Sequence, residues 1–455
     1  MDVVMLSRIQ FAMTSMFHYI YPPLSIGLGL FLIIIEGMYI KTKNLRYLEM
    51  TKFWVKIFAL TFALGVATGL VQMFGLGTNW GRYTRYVGDV FGGALGAEGI
   101  FAFFLEAGFM GIMLFGWKRV SAKMHYLSTI LVSAGAHFSA IWIVVANSWM
   151  QTPAGFTIEG TGADARAVIT DFWAMIFNPS SMDRLLHVTL GCWLSGLFLV
   201  ISICAYYLLK KKHVSFARTT IKIAIVSAFV VLIMQLFSAD STARGVAENQ
   251  PSKLAAMEGV YKTEEGTAIS LVGWVDTKAK EVKGIKLPGV LSFLVYRNFK
   301  TPVLGLDNIP SDEHPPIQIV FQTYHMMIYM WGLMLLGASA GLYFLWKKKL
   351  DTSKWTLRFL VISVTFPQIA NMVGWMTAEI GRQPWIVWKL LRTPQGVSPG
   401  IVSGQVIFSL IMLATIYFTL LFLFLFLLDR KIKHGPTDVP DQVGYKDPYK
   451  KGAVQ

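Results

Sequence analysis

Residues 185–212 read LLHVTLGCWLSGLFLVISICAYYLLKKK. No Asp, Glu, Lys or Arg interrupts the run from Leu185 to Leu209. As a helix it is long enough to cross the hydrocarbon core of a bilayer, for which about 20 residues suffice. It stops on Lys210, Lys211 and Lys212, and it carries one imidazole, His187, near its other end. An apolar helix with a basic boundary on one side is the unit of a polytopic membrane protein. Further runs of the same kind lie near 12–40, 54–76, 91–116, 125–149, 219–238, 317–346, 355–379 and 403–428. Together they predict an all-α integral membrane protein, a bundle of nine transmembrane helices.

Composition agrees. Of 455 residues, 54% are hydrophobic and 15% charged, against roughly a quarter charged in soluble proteins. With a mean hydropathy of +0.52, this excludes an ordinary soluble enzyme and a disordered chain. The net charge of +15 would suit a nucleic-acid binder if the cations formed a patch, but they flank the apolar runs. Lys41, Lys43, Arg46, Lys52, Lys118, Arg119, Lys123, Lys210–Lys212, Arg218, Lys222, Lys347–Lys349, Lys354, Arg358, Arg430, Lys431, Lys433, Lys446, Lys450 and Lys451 fall on one side, and far fewer on the other. The basic side is the cytoplasmic one. The amino terminus is therefore expected outside and the carboxyl terminus in the cytoplasm, with the chain multi-pass in the membrane. Asp2 and Arg8 replace a basic leader and no cleavage site follows, so the first span is expected to be retained. Cys192 and Cys204 share one span, which argues against a disulfide framework or a cysteine-ligated metal.

The expected organisation is helices one to six over 1–238, an extracytoplasmic loop over 239–316, helices seven to nine over 317–428, and a cytoplasmic tail over 429–455. The loop is polar and too long for an idle connection. It contains two strand-like runs, Ile269–Val275 and Val290–Val295.

Ionisable groups at lipid depth cost a few kcal/mol each on insertion scales, which makes each a functional candidate. His18, Glu98, Glu106, His137, His187, His325 and Glu379 all fall inside expected spans. For any one of them, a helix-to-helix hydrogen bond is the structural alternative. Four residues nonetheless share a depth near the outer surface: His18, His187, Met327 and Glu379. Imidazole, thioether and carboxylate are axial donors to haem iron, and a His/Met pair suits a low-spin, electron-transferring haem. Glu98 and Glu106 stand two turns, or about 12 Å, apart on one helix, a spacing suited to successive steps of a proton relay. Glu36 and Lys56, near the cytoplasmic ends, are read as snorkelling to the surface.

Two strings add polar chemistry at the outer surface. In GWMTAEIGRQPW (374–385), Glu379 is followed three residues later by Arg382, suited to an anionic carboxylate or haem propionate. In QPSKLAAMEG (250–259), Lys253 and Glu258 stand five apart in the long loop.

These strings, with SRIQFA (7–12) through His18, FALGVATG (62–69), GTNW (77–80), Glu98-Gly99, FFLE (103–106), ANSWMQ (146–151) and GRQPW (381–385), resemble subunit I of the cytochrome bd quinol oxidases over essentially all nine spans. The resemblance implies a terminal respiratory oxidase subunit of a bacterial or archaeal cytoplasmic membrane, an electrogenic quinol:oxygen oxidoreductase. Such a protein oxidises membrane quinol at the outer face and reduces oxygen to water with cytoplasmic protons, generating proton motive force without pumping. It implies three cofactors: low-spin haem b (b558-type), high-spin haem b (b595-type), and haem d or a haem b in its place. His187 and Met327 would ligate the low-spin haem, with Met326 the adjacent alternative. His18 and Glu379 would serve the high-spin haems, in an assignment that varies among members. Glu98, Glu106 and Asn147 would transfer protons, and Lys253 and Glu258 of the Q-loop would act on quinol. Trp375 would lie near the haems and Arg382 would pair with propionates.

The implied partners are a second large membrane subunit, cytochrome bd subunit II, and a single-helix small subunit, besides lipid and quinol; no nucleic acid is implied. Two features depart from many members. The second half of the Q-loop is short, and His325 occupies the position, two before Met327, where many carry Arg. The competing class is a proton-coupled membrane transporter, which needs buried carboxylates but not four potential iron ligands in one layer.

Overall fold

The computed structural model describes residues 2–97, 103–436 and 447–449. Its helices are α1 (Val3–His18), α2 (Tyr21–Thr42), α3 (Leu45–Asn79), α4 (Gly81–Tyr86), α5 (Gly88–Ala97), α6 (Phe103–Phe115), α7 (Ala122–Gln151), α8 (Phe172–Ile176), α9 (Ser181–Leu209), α10 (Val214–Asn249), α11 (Pro251–Glu258), α12 (Val290–Tyr296), α13 (Ile317–Trp346), α14 (Lys354–Ile362), α15 (Thr365–Ile380) and α16 (Ser403–His434). Among the described residues, eight helical units are long and apolar enough to cross a membrane, with α1–α2 and α14–α15 each counting as one. The expected span at 91–116 is represented by α5 and α6, which flank residues 98–102; Glu98 lies there, outside the described residues.

Proline explains the two interrupted units. Pro22 and Pro23 follow the break at Tyr19–Ile20, and Pro367 follows the break at Ser363–Val364. Each removes a backbone donor and crowds the preceding turn. His18 therefore closes α1 at a break and does not sit inside one continuous span.

The core is built on α2, α3, α9 and α10, whose Leu28, Phe31, Trp54, Phe58, Leu197, Phe198 and Leu232 are fully buried. Where α2 crosses α9, a Cβ on Gly27 or Gly196 would run into the other helix's backbone. Only glycine lets the two approach this closely, and van der Waals contact replaces the hydrophobic drive that lipid does not supply. By contrast α16 presents Phe408, Phe418 and Phe422 outward.

The polar segment over 239–316 is more ordered than its composition suggests. α10 continues to Asn249, well past the expected boundary at 238, and α11 follows at once. Ile269–Asp276 forms β3, paired antiparallel with β4 (Glu281–Leu287). The second strand-like run is helix α12 instead, between residues of positive φ at Gly289 and Arg297. Its Leu291 and Val295 pack on Leu254, Val303 and Leu306, a four-residue spacing that an α-helix satisfies and a strand does not. Short hairpins β1 (Phe156–Glu159) with β2 (Arg166–Ile169) and β5 (Trp385–Val387) with β6 (Leu391–Arg392) complete this face.

Candidate functional site

α9, α10, α13 and α15, with α11 across them, enclose a cavity of about 470 Å³ lined by His187, Met327, Trp375, Lys253 and Glu258 among others. Five residues from four separate stretches of sequence thus share one space. The ring nitrogens of His187 lie 3.1 Å and 3.2 Å from the Gln235 amide nitrogen of α10. Across the cavity, the Met327 sulfur rests against Gly374, where a Cβ would come within 2.8 Å of it. Met326 is 41% exposed and does not line the cavity, so geometry separates the two adjacent methionines.

One end of the site is a network of buried charge. Glu379 accepts from Asn147 Nδ2 at 2.9 Å and from Arg382 Nη2 at 2.5 Å. Asn147 in turn accepts from Arg184 Nη2 at 2.5 Å. Gln151 Nε2 donates to Glu379 at 3.4 Å, and its side-chain Oε1 accepts from Lys253 Nζ at 2.5 Å. Three cations, Arg184, Arg382 and Lys253, therefore surround one carboxylate. Arg382 Nη1 is buried with no partner among the described residues. Burial, followed by the two guanidiniums, pushes the Lys253 ammonium well below its ordinary pKa. A buried surplus of positive charge with an unspent guanidinium N–H is an anion-binding arrangement.

Glu258 sits at the other end of α11, buried, with Tyr324 of α13 and the Ser270 backbone N–H as partners; burial raises its pKa to about 7. Its second oxygen has no partner among the described residues.

Residues 6–436 match the family described as Cytochrome bd terminal oxidase subunit I. The chain belongs to that family. It is 40% identical to "Cytochrome bd ubiquinol oxidase subunit 1" of Bacillus subtilis (strain 168), covering 96% of this chain and 94% of the relative. It is 33% identical to "Cytochrome bd-II ubiquinol oxidase subunit 1" of Escherichia coli (strain K12), covering 96% and 97%. The fold matches the bd oxidase from Geobacillus thermodenitrificans with a TM-score of 0.89 at 30% identity, over 96% of this chain and 99% of that one. With its membrane-length apolar helices, the chain is a multi-pass protein of the cytoplasmic membrane.

The remaining candidates of this bd-family subunit lie outside the cavity. His18 Nδ1 pairs with Thr68 Oγ1 of α3 at 2.9 Å, and Gly69 leaves room beside its ring. Glu106 is buried on α6 against Gly135 of α7, where a Cβ would meet its Cγ at 2.5 Å. His137 donates to Ser133 O at 2.7 Å and accepts from Trp193 Nε1 at 2.8 Å, the helix-to-helix bond that a membrane histidine most simply makes. His325 contacts Phe321 O at 2.8 Å and Ser270 O at 2.7 Å, so it ties α13 to β3 and does not line the cavity.

Three contributors escaped the sequence reading. Arg184 counted only as an outer-side cation, although its position three residues before His187 puts both on one helical face. Gln235 and Tyr324 carry no charge and stand in apolar runs, where nothing local singles them out. Glu36 does not snorkel: it is 1% exposed and paired with His125.

Proposed function

We propose that this subunit oxidises quinol at the outer face of the membrane and reduces oxygen to water with protons from the cytoplasm, as part of a terminal oxidase with a second large subunit. The observation that carries the reading is the shared cavity: the two residues matching the family's quinol-oxidation pair, Lys253 and Glu258, line the same space as His187 and Met327. Electrons released at one end need not cross protein to reach the other.

The donor set fits haem. His187 and Met327 would hold a low-spin haem b, Trp375 would flank it, and His18 and Glu379 would serve the two high-spin haems, b and d. Bound there, haem supplies one-electron transfer and oxygen chemistry. Arg382, with Arg184 beside it, would receive propionate carboxylates, which the orphaned Arg382 Nη1 favours. Glu379 would have to release one of its partners, Asn147 or Arg382, to bind iron.

The chain's own groups handle the protons. Glu258, with a pKa near neutrality and a free oxygen, accepts a quinol hydroxyl proton and passes it to the outer water. Lys253, held by Gln151 and Gln250, positions the quinol head group. Glu106 carries protons toward the oxygen site, with Glu98 and Asn147 extending the route. Two electrons and two protons leave each quinol outside, and four electrons with four cytoplasmic protons convert oxygen to two waters. Charge is thereby separated without a pump.

Pyridine haemochrome analysis of the purified complex tests the reading, and a haem-free protein overturns it in favour of a transporter. Met327→Leu should convert the low-spin haem to a five-coordinate form. An unchanged low-spin spectrum would remove Met327 as ligand.

A further inference from the structure

Polar residues recur along α7 every four positions at His125, Thr129, Ser133 and His137. They form one stripe with about 6 Å of rise between neighbours. At the end of the stripe near the basic 118–123 turn, His125 is fully buried, and its Nδ1 lies 2.7 Å from Oε1 of Glu36 on α2. Oε2 of Glu36 accepts from Thr129 Oγ1 at 2.6 Å. His125 Nε2 meets the Met113 carbonyl of α6 at 3.1 Å. A carbonyl only accepts, so Nε2 carries a proton, and a second proton is shared between Nδ1 and the carboxylate. The pair is neutral wherever that proton sits, which suits movement of a proton at a depth where bare charge is costly.

α6 and α7 lie side by side in opposite directions, Met113 beside His125 and Glu106 beside Gly135. Glu106 therefore stands about two turns, some 10 Å, farther from the basic turn than the Glu36–His125 pair. The hydroxyls of Thr129 and Ser133 occupy the interval. Ser133 Oγ is buried and has no partner among the described residues, and it lies two residues from the glycine against which Glu106 packs. On the other side of the pair, the Trp117 ring lies tilted against His125 with centroids 3.9 Å apart, and the Tyr449 ring lies 6.2 Å from His125. Tyr39 donates to the buried Asp447 at 3.0 Å, which holds a carboxylate of the carboxyl-terminal tail against α2 within one turn of Glu36.

We infer that Glu36 and His125 form a proton-loading pair that supplies Glu106 through the hydroxyls of Thr129 and Ser133, with the buried Asp447 handing protons on to the pair from the side of the carboxyl-terminal tail. Each handover moves one proton and no electron: a hydroxyl releases its proton as it accepts the next, and the interval between residues is about that spanned by one hydrogen-bonded water. The inference rests on Glu106 as a proton carrier and goes further by naming its donor.

The test uses the whole oxidase in sealed vesicles, comparing Glu36→Gln, Glu36→Asp, Ser133→Ala and Glu106→Gln for quinol-driven oxygen uptake, membrane potential, haem content and solvent isotope effect. Glu36→Gln should slow turnover about tenfold with all haems retained and an enlarged isotope effect, and Glu36→Asp should restore most of the rate. A structural pair would move haem content or stability and leave the isotope effect unchanged, and that pattern overturns the inference. If Glu36→Gln does not assemble, Ser133→Ala decides, because it removes only an unpartnered hydroxyl: slower turnover supports the route and an unchanged rate overturns it. Wild-type turnover in Glu106→Gln defeats the reading of Glu106 itself. An impaired Glu106→Gln beside an unimpaired Glu36→Gln defeats only its donor.

Discussion

On the proposed reading, Glu258 concentrates the quinol-side proton chemistry in a single carboxyl group. Burial lifts its pKa from the ordinary carboxylate range to about 7, so it takes up a proton as pH falls through neutrality. A base must be unprotonated to accept the quinol proton. Quinol oxidation should therefore rise between about pH 6 and pH 8 and level off above, because ionisation of a group with this pKa is complete there. Glu258→Gln should remove that limb and lower the quinol-driven rate on the order of 100-fold, while reduction by an artificial donor that bypasses the loop leaves oxygen uptake intact. A pH profile identical to that of the unmodified protein would exclude Glu258 as the base. The same residue marks a limit of sequence reading. Its charge and loop position were legible, whereas the burial that raises its pKa and the opposing hydrogen bonds from Tyr324 and Ser270 depend on remote segments that a local pattern does not connect. Glu36 is the clearer case: sequence gave its depth near a helix end, but its partner lies 89 positions away.

Among the elements, long apolar spans were legible because a helix is nearly the only way to satisfy that much backbone in lipid. The elements of the 239–316 segment were not. β4 reads EVKGIKL, with charges on a partly exposed hairpin, and α12 is apolar enough to pass for a strand until its packing partners are known. The α2–α9 crossing belongs to this scale as well. Since Gly27 and Gly196 leave no room for a Cβ, Gly196→Val should push the helices apart at a cost of about 1–3 kcal/mol. Thermal unfolding of the detergent-solubilised complex should register this as a lowered transition, and His187, on the same helix α9, should shift with it. An unaltered midpoint would mean that the crossing is loose.

Across the whole molecule, family membership implies assembly with a second subunit, and the outward aromatic face of α16 is a surface for that subunit or lipid. The charge network carries a consequence for the life of the protein in the cell. Arg184 and Arg382 against Glu379 leave one positive charge uncompensated even with Lys253 neutral, and two with it charged. An unpaired cation at membrane depth costs about 2.5–3.5 kcal/mol on insertion scales, so an anionic ligand that binds there stabilises the folded chain by mass action. Supply of the tetrapyrrole should then set the lifetime of the polypeptide. In cells starved of haem, pulse-chase labelling should find this subunit degraded several-fold faster, and Arg382→Gln, which lowers the surplus, should lengthen that half-life relative to the unmodified chain. Equal decay with and without haem would mean that the surplus is tolerated. On this arrangement the membrane's quality-control proteases read an electrostatic imbalance, and only subunits that have received their cofactor persist to join a partner.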